Sequence, residues 1–157
     1  MTGPCDHGSA PGSFDESARR VSWPELEVGQ LLAAEGHRVR AIPDGRGRGK
    51  LADFDVCGVT TEVKTLSSRA TTHTLANAVR RGREQGEIVI VNASASGLTR
   101  HSADRGLREF AAEGRFGTIK RVRVIGAGFE LSYSRADLSR AVQRRQPERT
   151  RGRVVGG

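Results

Sequence analysis

The stretch Leu51-Ala-Asp53-Phe-Asp55-Val-Cys57-Gly58-Val-Thr-Thr-Glu62-Val-Lys64-Thr-Leu66 decides how the chain reads. Before Gly58, the apolar Ala52, Phe54 and Val56 alternate with Asp53 and Asp55; after it, Glu62 and Lys64 fall on one parity. Side chains alternate faces along a strand, so the pattern predicts two strands joined at Gly58 as a hairpin. A two-residue turn at Cys57-Gly58 pairs Val56 with Val59 and then Asp53 with Glu62. A turn at Gly58-Val59 pairs Asp55 with Glu62 instead. Either register gathers Asp53, Asp55, Glu62 and Lys64 on one side; an odd-length loop does not.

Carboxylates opposed across a ladder repel, and the arrangement costs stability unless a positive charge compensates. A divalent cation meets that need. Asp53 and Glu62 offer hard oxygen ligands and leave positions open for water and phosphate, which suits Mg²⁺ or Mn²⁺. Such an ion polarises a phosphoryl oxygen, activates water and stabilises a leaving oxygen. Lys64, one alternation from Glu62, is placed to orient the water or to stabilise transition-state charge. The competing use of the same residues is an exposed strand face carrying an ordinary ion pair. Lys64 is one of three lysines, with Lys50 and Lys120, in a chain whose other strongly basic residues are all Arg.

Working outward, Ser22-Trp23-Pro24-Glu25 reads as a helix start, with Ser22 as N-cap and Pro24 and Glu25 in the first turn; the helix stops at Gly36. Arg38 to Ile42 alternates as a half-buried strand does and ends at Pro43-Asp44-Gly45. Beyond the hairpin, a helix capped at Thr71 or Thr72 runs to about Gln85, and Glu87 to Val91 reads as a buried central strand. A helix from about Ser102 to Ala112, a strand over Ile119 to Ile125 and a last strand over Phe129 to Tyr133 complete the series. This order predicts an α/β fold with a mixed central sheet flanked by helices. The Gly- and Ser-rich residues 1–21 read as a flexible arm, 22–138 as the folded domain and the Arg-rich 139–157 as a disordered tail.

The chain has 157 residues and a net charge of +8, with pI near 10.9. An Arg-heavy surface of this kind suits a polyanionic partner. Cys5 and Cys57 are the only cysteines, and the four histidines are scattered without zinc-site spacing; neither a zinc centre nor a disulfide framework is expected. The start has no apolar export segment, and no run reaches membrane-spanning length. Gly45-x-Gly47-x-Gly49 lacks the Lys-Ser/Thr ending of a phosphate loop.

Asp53, followed by Glu62-Val63-Lys64 on the next strand, resembles the PD-(D/E)XK nuclease signature, with Ala52 where the name implies Pro. Several segments further resemble the C-terminal tRNA nuclease domains of CdiA-type contact-dependent growth inhibition toxins. These are Trp23-Pro-Glu-Leu-Glu27, Leu32-Ala-Ala-Glu-Gly-His37, Gly49-Lys-Leu-Ala-Asp53, Gly58 through Leu66 and Ile125-Gly-Ala-Gly-Phe129, together covering roughly Trp23 to Tyr133. The resemblance implies a restriction-endonuclease-like core and metal-assisted cleavage of tRNA. It implies Asp53 and Glu62 as metal ligands, prefers Asp53 over Asp55, and makes Lys64 the third catalytic residue. Related nucleases often add a Glu from the first helix, for which Glu25 and Glu27 both qualify. The same resemblance implies action in a target cell's cytoplasm and an acidic immunity protein whose charge covers the basic surface. Arg80 and Arg81, on the helix after the hairpin, are candidate RNA-backbone contacts. A DNA endonuclease of the same fold and a non-catalytic RNA-binding module are the alternative readings.

Overall fold

The hairpin forms around the first of its two candidate turns, Cys57-Gly58. The computed structural model describes residues 12–45 and 51–143, and in it β3 (Phe54–Val56) and β4 (Val59–Thr65) pair as Val56↔Val59, Asp55↔Thr60 and Phe54↔Thr61. The turn residues Cys57 and Gly58 have φ of 52° and 85°, as a two-residue type I′ connection requires. Asp55 is used inside the turn, where its Oδ1 accepts the Gly58 N–H at 2.9 Å. The register therefore carries Asp53, not Asp55, to the level of Glu62.

The hairpin is the antiparallel part of a seven-stranded sheet in sequence order. Before it come β1 (Ser13–Asp15), α1 (Trp23–Ala34) and β2 (Arg38–Ala41); β1 runs parallel to β2, and β2 antiparallel to β3. After it, α2 (Thr72–Gly82), β5 (Ile88–Ala93), α3 (Arg100–Ala112) and β6 (Arg121–Gly126) build two parallel crossovers. The strand β7 (Glu130–Ser134) then returns antiparallel to β6, and α4 (Arg135–Gln143) follows. The expected α/β fold with a mixed, helix-flanked sheet is what forms.

Each face of the sheet has its own core. Even-numbered Glu62 and Lys64 lie at the level of Val89 and Val91, whose side chains join Leu75, Val79, Leu107 and Phe110 beneath α2 and α3. The opposite face packs Val63, Ile88 and Ile90 with Phe54 and with Val28 and Leu32 of α1. Every residue of β5 is buried, which is why Ile88 to Val91 is an apolar run rather than an alternation, while the buried Asn92 that follows is hydrogen-bonded to Glu27. Successive crossovers advancing in one direction put α2 and α3 on one face, the outcome right-handed connections dictate.

The N-terminal segment is more structured than its composition suggests. Ser13–Asp15, placed in the arm by sequence, pairs with Arg38–Arg40, and Phe14 meets Phe54 edge-on at 5.7 Å between ring centroids. A three-residue strand with one aromatic residue carries too little periodicity to be read locally, and its partner is remote. Gly29 makes the packing possible, because a Cβ there would stand 2.5 Å from the Phe14 ring. Helix α4 likewise runs past residue 138 to Gln143, while residues 1–11 and 144–157 lie outside the described part. The basic loop at 46–50 lies outside it as well. Cys57 is disulfide-bonded and not a free thiol.

Two glycine substitutions separate conformational from steric constraint. At Gly58 a Cβ meets nothing within 4 Å, so Gly58→Ala costs only the left-handed backbone conformation, about 1 kcal/mol. Gly29→Ala overpacks the Phe14 contact and costs about 1–3 kcal/mol. Urea denaturation should report both as lowered midpoints with unchanged slope, the larger for Gly29→Ala.

Candidate active site at the end of the hairpin

Strand β3 begins at Phe54, and the residue just before it, Asp53, builds the site. The Asp53 carbonyl still accepts the Ile42 N–H at 3.0 Å, so the backbone stays beside β2. Its side chain turns to β4, where Oδ2 accepts the Val63 N–H at 2.8 Å. A buried N–H left without a partner would cost free energy comparable to a lost hydrogen bond. The carboxylate thus serves the ladder in place of a backbone carbonyl, and it is fixed at the level of Glu62.

Glu62 is fully buried and Lys64 partly so; Lys64 Nζ lies 2.7 Å from Glu62 Oε1. Gln85, in the turn after α2, completes the environment: with its amide nitrogen turned toward Glu62 it donates to both carboxylate oxygens. A buried carboxylate of this kind stays in place only when paired and hydrogen-bonded, and Lys64 with Gln85 supplies both. Glu62 and Lys64 therefore sit together, as the alternation predicted.

Asp53 faces a different environment. On its other side stand Glu25 and Arg19. Glu25 occupies the third position of α1, where it forms a capping box with Ser22, its Oε2 accepting the Ser22 N–H at 2.6 Å. Burial pushes the Asp53 carboxyl up to about 7, helped by its hydrogen bond to Glu25 and the negative charges of Glu62 and Glu25 and opposed by the Val63 N–H. Burial would also raise Glu25, but the Arg19 guanidinium and Ser22 N–H outweigh it and hold Glu25 low, at about 2. Asp53 is thus the group that carries the shared proton and donates to Glu25. Asp53 stands between two further acids, Glu25 and Glu62, whose negative charges add to the effect of burial.

The first helix resolves between its two glutamates. Glu25 reaches Asp53, whereas Glu27 accepts from Asn92 Nδ2 at 3.3 Å. Among the described residues no three His, Cys, Asp or Glu side chains converge as a cation cluster; Asp53 and Glu62 are neighbouring carboxylates whose oxygens could hold one. Two carboxylates leave the remaining positions to water and substrate oxygens, a donor set that fits Mg²⁺ or Mn²⁺.

The other candidates are placed less centrally. Arg80 Nε donates to Glu113 Oε2 at 3.0 Å, and its guanidinium also reaches Asn77; Arg81 is exposed at the last turn of α2. His73 has a partner in Glu109, at 2.5 Å. Sequence reasoning missed Arg19 and Gln85. Arg19 carries no local signal in a polar segment, and Gln85 lies at a helix end where a Gln is unremarkable. Only the tertiary fold brings either to the carboxylates.

With this geometry in hand, comparisons with known proteins place the chain. The profile of the family described as the contact-dependent growth inhibition CdiA C-terminal domain matches residues 50–131, more than half of the sequence and all of the hairpin. The fold is similar to that of a chain in the CdiA-CT/CdiI toxin and immunity complex from Burkholderia pseudomallei. The TM-score is 0.51 at 16% identity, over 78% of this chain and 99% of that one. A comparison with curated protein sequences found no match. The chain belongs to the contact-dependent growth inhibition CdiA C-terminal domain family.

Proposed function

We propose that this domain is a toxin-like ribonuclease that cleaves tRNA by divalent-metal-assisted phosphodiester hydrolysis on a PD-(D/E)XK-type core. The observation that carries the reading is the Glu62–Lys64 pair at 2.7 Å, its carboxylate fully buried, with the Asp53 carboxylate fixed beside it on the Val63 N–H. Asp53 and Glu62 would hold Mg²⁺ or Mn²⁺. When bound, the ion supplies Lewis-acid polarisation of the phosphoryl oxygen and a lowered pKa for water.

The rest of the chemistry belongs to the chain's own groups. Lys64 is held against Glu62, and its Nζ would stabilise the negative charge that develops on the phosphoryl oxygens in the transition state. Asp53 would hold the cation in its ionised form. Gln85 keeps the Glu62 carboxylate in one orientation. The net charge of +8 favours encounter with an RNA backbone, and exposed Arg81 is a candidate phosphate contact. Arg80 would have to leave Glu113 before it could serve the same role. An acidic immunity protein of the CdiI kind is the partner whose charge complements this surface.

Incubation of the full chain with total tRNA or plasmid DNA, with and without Mg²⁺ or Mn²⁺, tests the reading. Metal-dependent tRNA fragments that fall about a hundredfold or more in Lys64→Ala or Glu62→Gln are expected, the scale on which removing one transition-state donor acts. Intact tRNA beside nicked plasmid, or fragments unaffected by these variants, contradicts it.

The rate should depend on pH through Asp53. Its carboxyl, raised to about 7, is protonated below that value, so cleavage at subsaturating Mn²⁺ rises toward a plateau as pH climbs through 7. The stability linkage has the opposite sign. Between the ordinary Asp range and 7 the folded state binds more protons than the unfolded state, so ionising Asp53 lowers stability as pH rises. Asp53→Asn, which mimics the protonated form, should therefore raise the metal-free Tm at pH 8 more than at pH 5.

A further inference from the structure

Arg19 gathers more of this site than any other side chain. Its Nε donates to the Ile42 carbonyl at 2.8 Å, and Nη2 donates to the Asp53 carbonyl at 3.0 Å. Nη1 donates to the Arg20 carbonyl at 3.2 Å and to Glu25 Oε2 at 3.4 Å. Nη2 also pairs with Glu25 Oε1 at 3.1 Å and lies 3.7 Å from Asp53 Oδ1. One guanidinium, only 11% exposed, thus ties the end of β2, the residue just before β3 and the first turn of α1.

Each contact fixes a different degree of freedom of Asp53. The Ile42 carbonyl belongs to the residue whose N–H holds the Asp53 carbonyl, so Nε anchors the neighbouring backbone. The bond from Nη2 fixes the Asp53 peptide, and the paired bonds to Glu25 hold the carboxylate to which Asp53 itself hydrogen-bonds. A planar fork can satisfy these directions at once, whereas an ammonium on a flexible stem cannot. The chain reaches this arrangement because β1 and the Phe14 contact seat the segment just before Arg19 on the sheet edge.

We propose that Arg19 is a positioning residue that presets the Asp53 carboxylate for the divalent cation, an inference that rests on the metal-dependent reading of the site. Two simpler roles make different predictions. As a mere internal counter-charge, Arg19 repels the cation, and its removal tightens metal binding. As a mere structural tie, its removal lowers Tm and leaves metal affinity alone. As a positioning residue, its removal weakens metal binding even though the site becomes more negative. Preorganisation outweighs the charge because the ligand carboxylate must otherwise be ordered at the moment of binding.

Mn²⁺ binding by the full chain, followed by electron paramagnetic resonance of the free ion, separates these roles. The parent protein should bind Mn²⁺, Arg19→Met at least tenfold more weakly, and Arg19→Lys at least threefold more weakly. Arg123→Met is the control: Arg123 is 12% exposed and bridges Glu35 and Glu130 away from the site, so it should lose Tm but keep Mn²⁺ affinity. Unchanged or tighter binding in Arg19→Met overturns the proposal. Should that variant fail to fold, parental affinity in Arg19→Lys overturns it equally. A parent chain that binds no Mn²⁺ overturns the metal-dependent reading itself, and Arg19's role with it.

Discussion

One hydrogen bond governs this molecule's chemistry: the Asp53 carboxylate on the Val63 N–H, at 2.8 Å. Where β3 gives out, the next donor on β4 needs an acceptor, and the sheet takes it from a side chain. That choice costs the fold an ordinary ladder bond and places a carboxylate, buried, at the level of Glu62. The electrostatic consequences then follow. Asp53 is driven up to about 7 and shares its proton with Glu25, while Glu62 is stabilised by Lys64 and Gln85. A more stable arrangement would replace the acids with apolar side chains, as buried ion pairs often can be. Acids gathered around one strand end, with the carboxyl of one raised by its neighbours, are the kind of perturbed cluster that functional sites collect.

The hairpin imposes this geometry through parity. A type I′ turn at Cys57–Gly58 permits one register only, and Asp55 is spent on capping that turn. The sheet on either side supplies rigidity. Val89 and Val91 of the wholly buried β5 back Glu62 and Lys64, and α1 delivers Glu25 from the far side through its own capping box. The first turn of that helix therefore does two things at once: Glu25 satisfies the helix's orphan N–H groups and accepts from Asp53. This shared use explains why Glu25, not Glu27, is the acid drawn to the hairpin.

Much of this was legible in the sequence because it depends on period-two alternation and turn chemistry, which act locally. The pairing of Glu62 with Lys64 and the buried run of β5 both follow from spacing alone. The choice between Asp53 and Asp55 did not, since two turn placements were chemically possible until Cys57 was seen to accept a positive φ. The choice between Glu25 and Glu27 was likewise open, because helical spacing does not tell which side of α1 meets the sheet. The strand β1 escaped notice, having three residues and a partner more than twenty positions away. Arg19 is the clearest case of information held only in the fold, as its acceptors come from four separate parts of the chain. Arg80 illustrates the reverse error of reading an Arg on a helix as free for phosphate, when Glu113 already holds it.

The account stands on Asp53 and Glu62 sharing one divalent cation. Anomalous diffraction from crystals equilibrated with Mn²⁺ tests this most directly. It should place a single strong peak within about 2–2.5 Å of an oxygen from each carboxylate, the distance range of hard oxygen ligation, with Lys64 still in contact with Glu62. Crystals that show no peak there, or a peak elsewhere with Asp53 still hydrogen-bonded to Glu25, would contradict it.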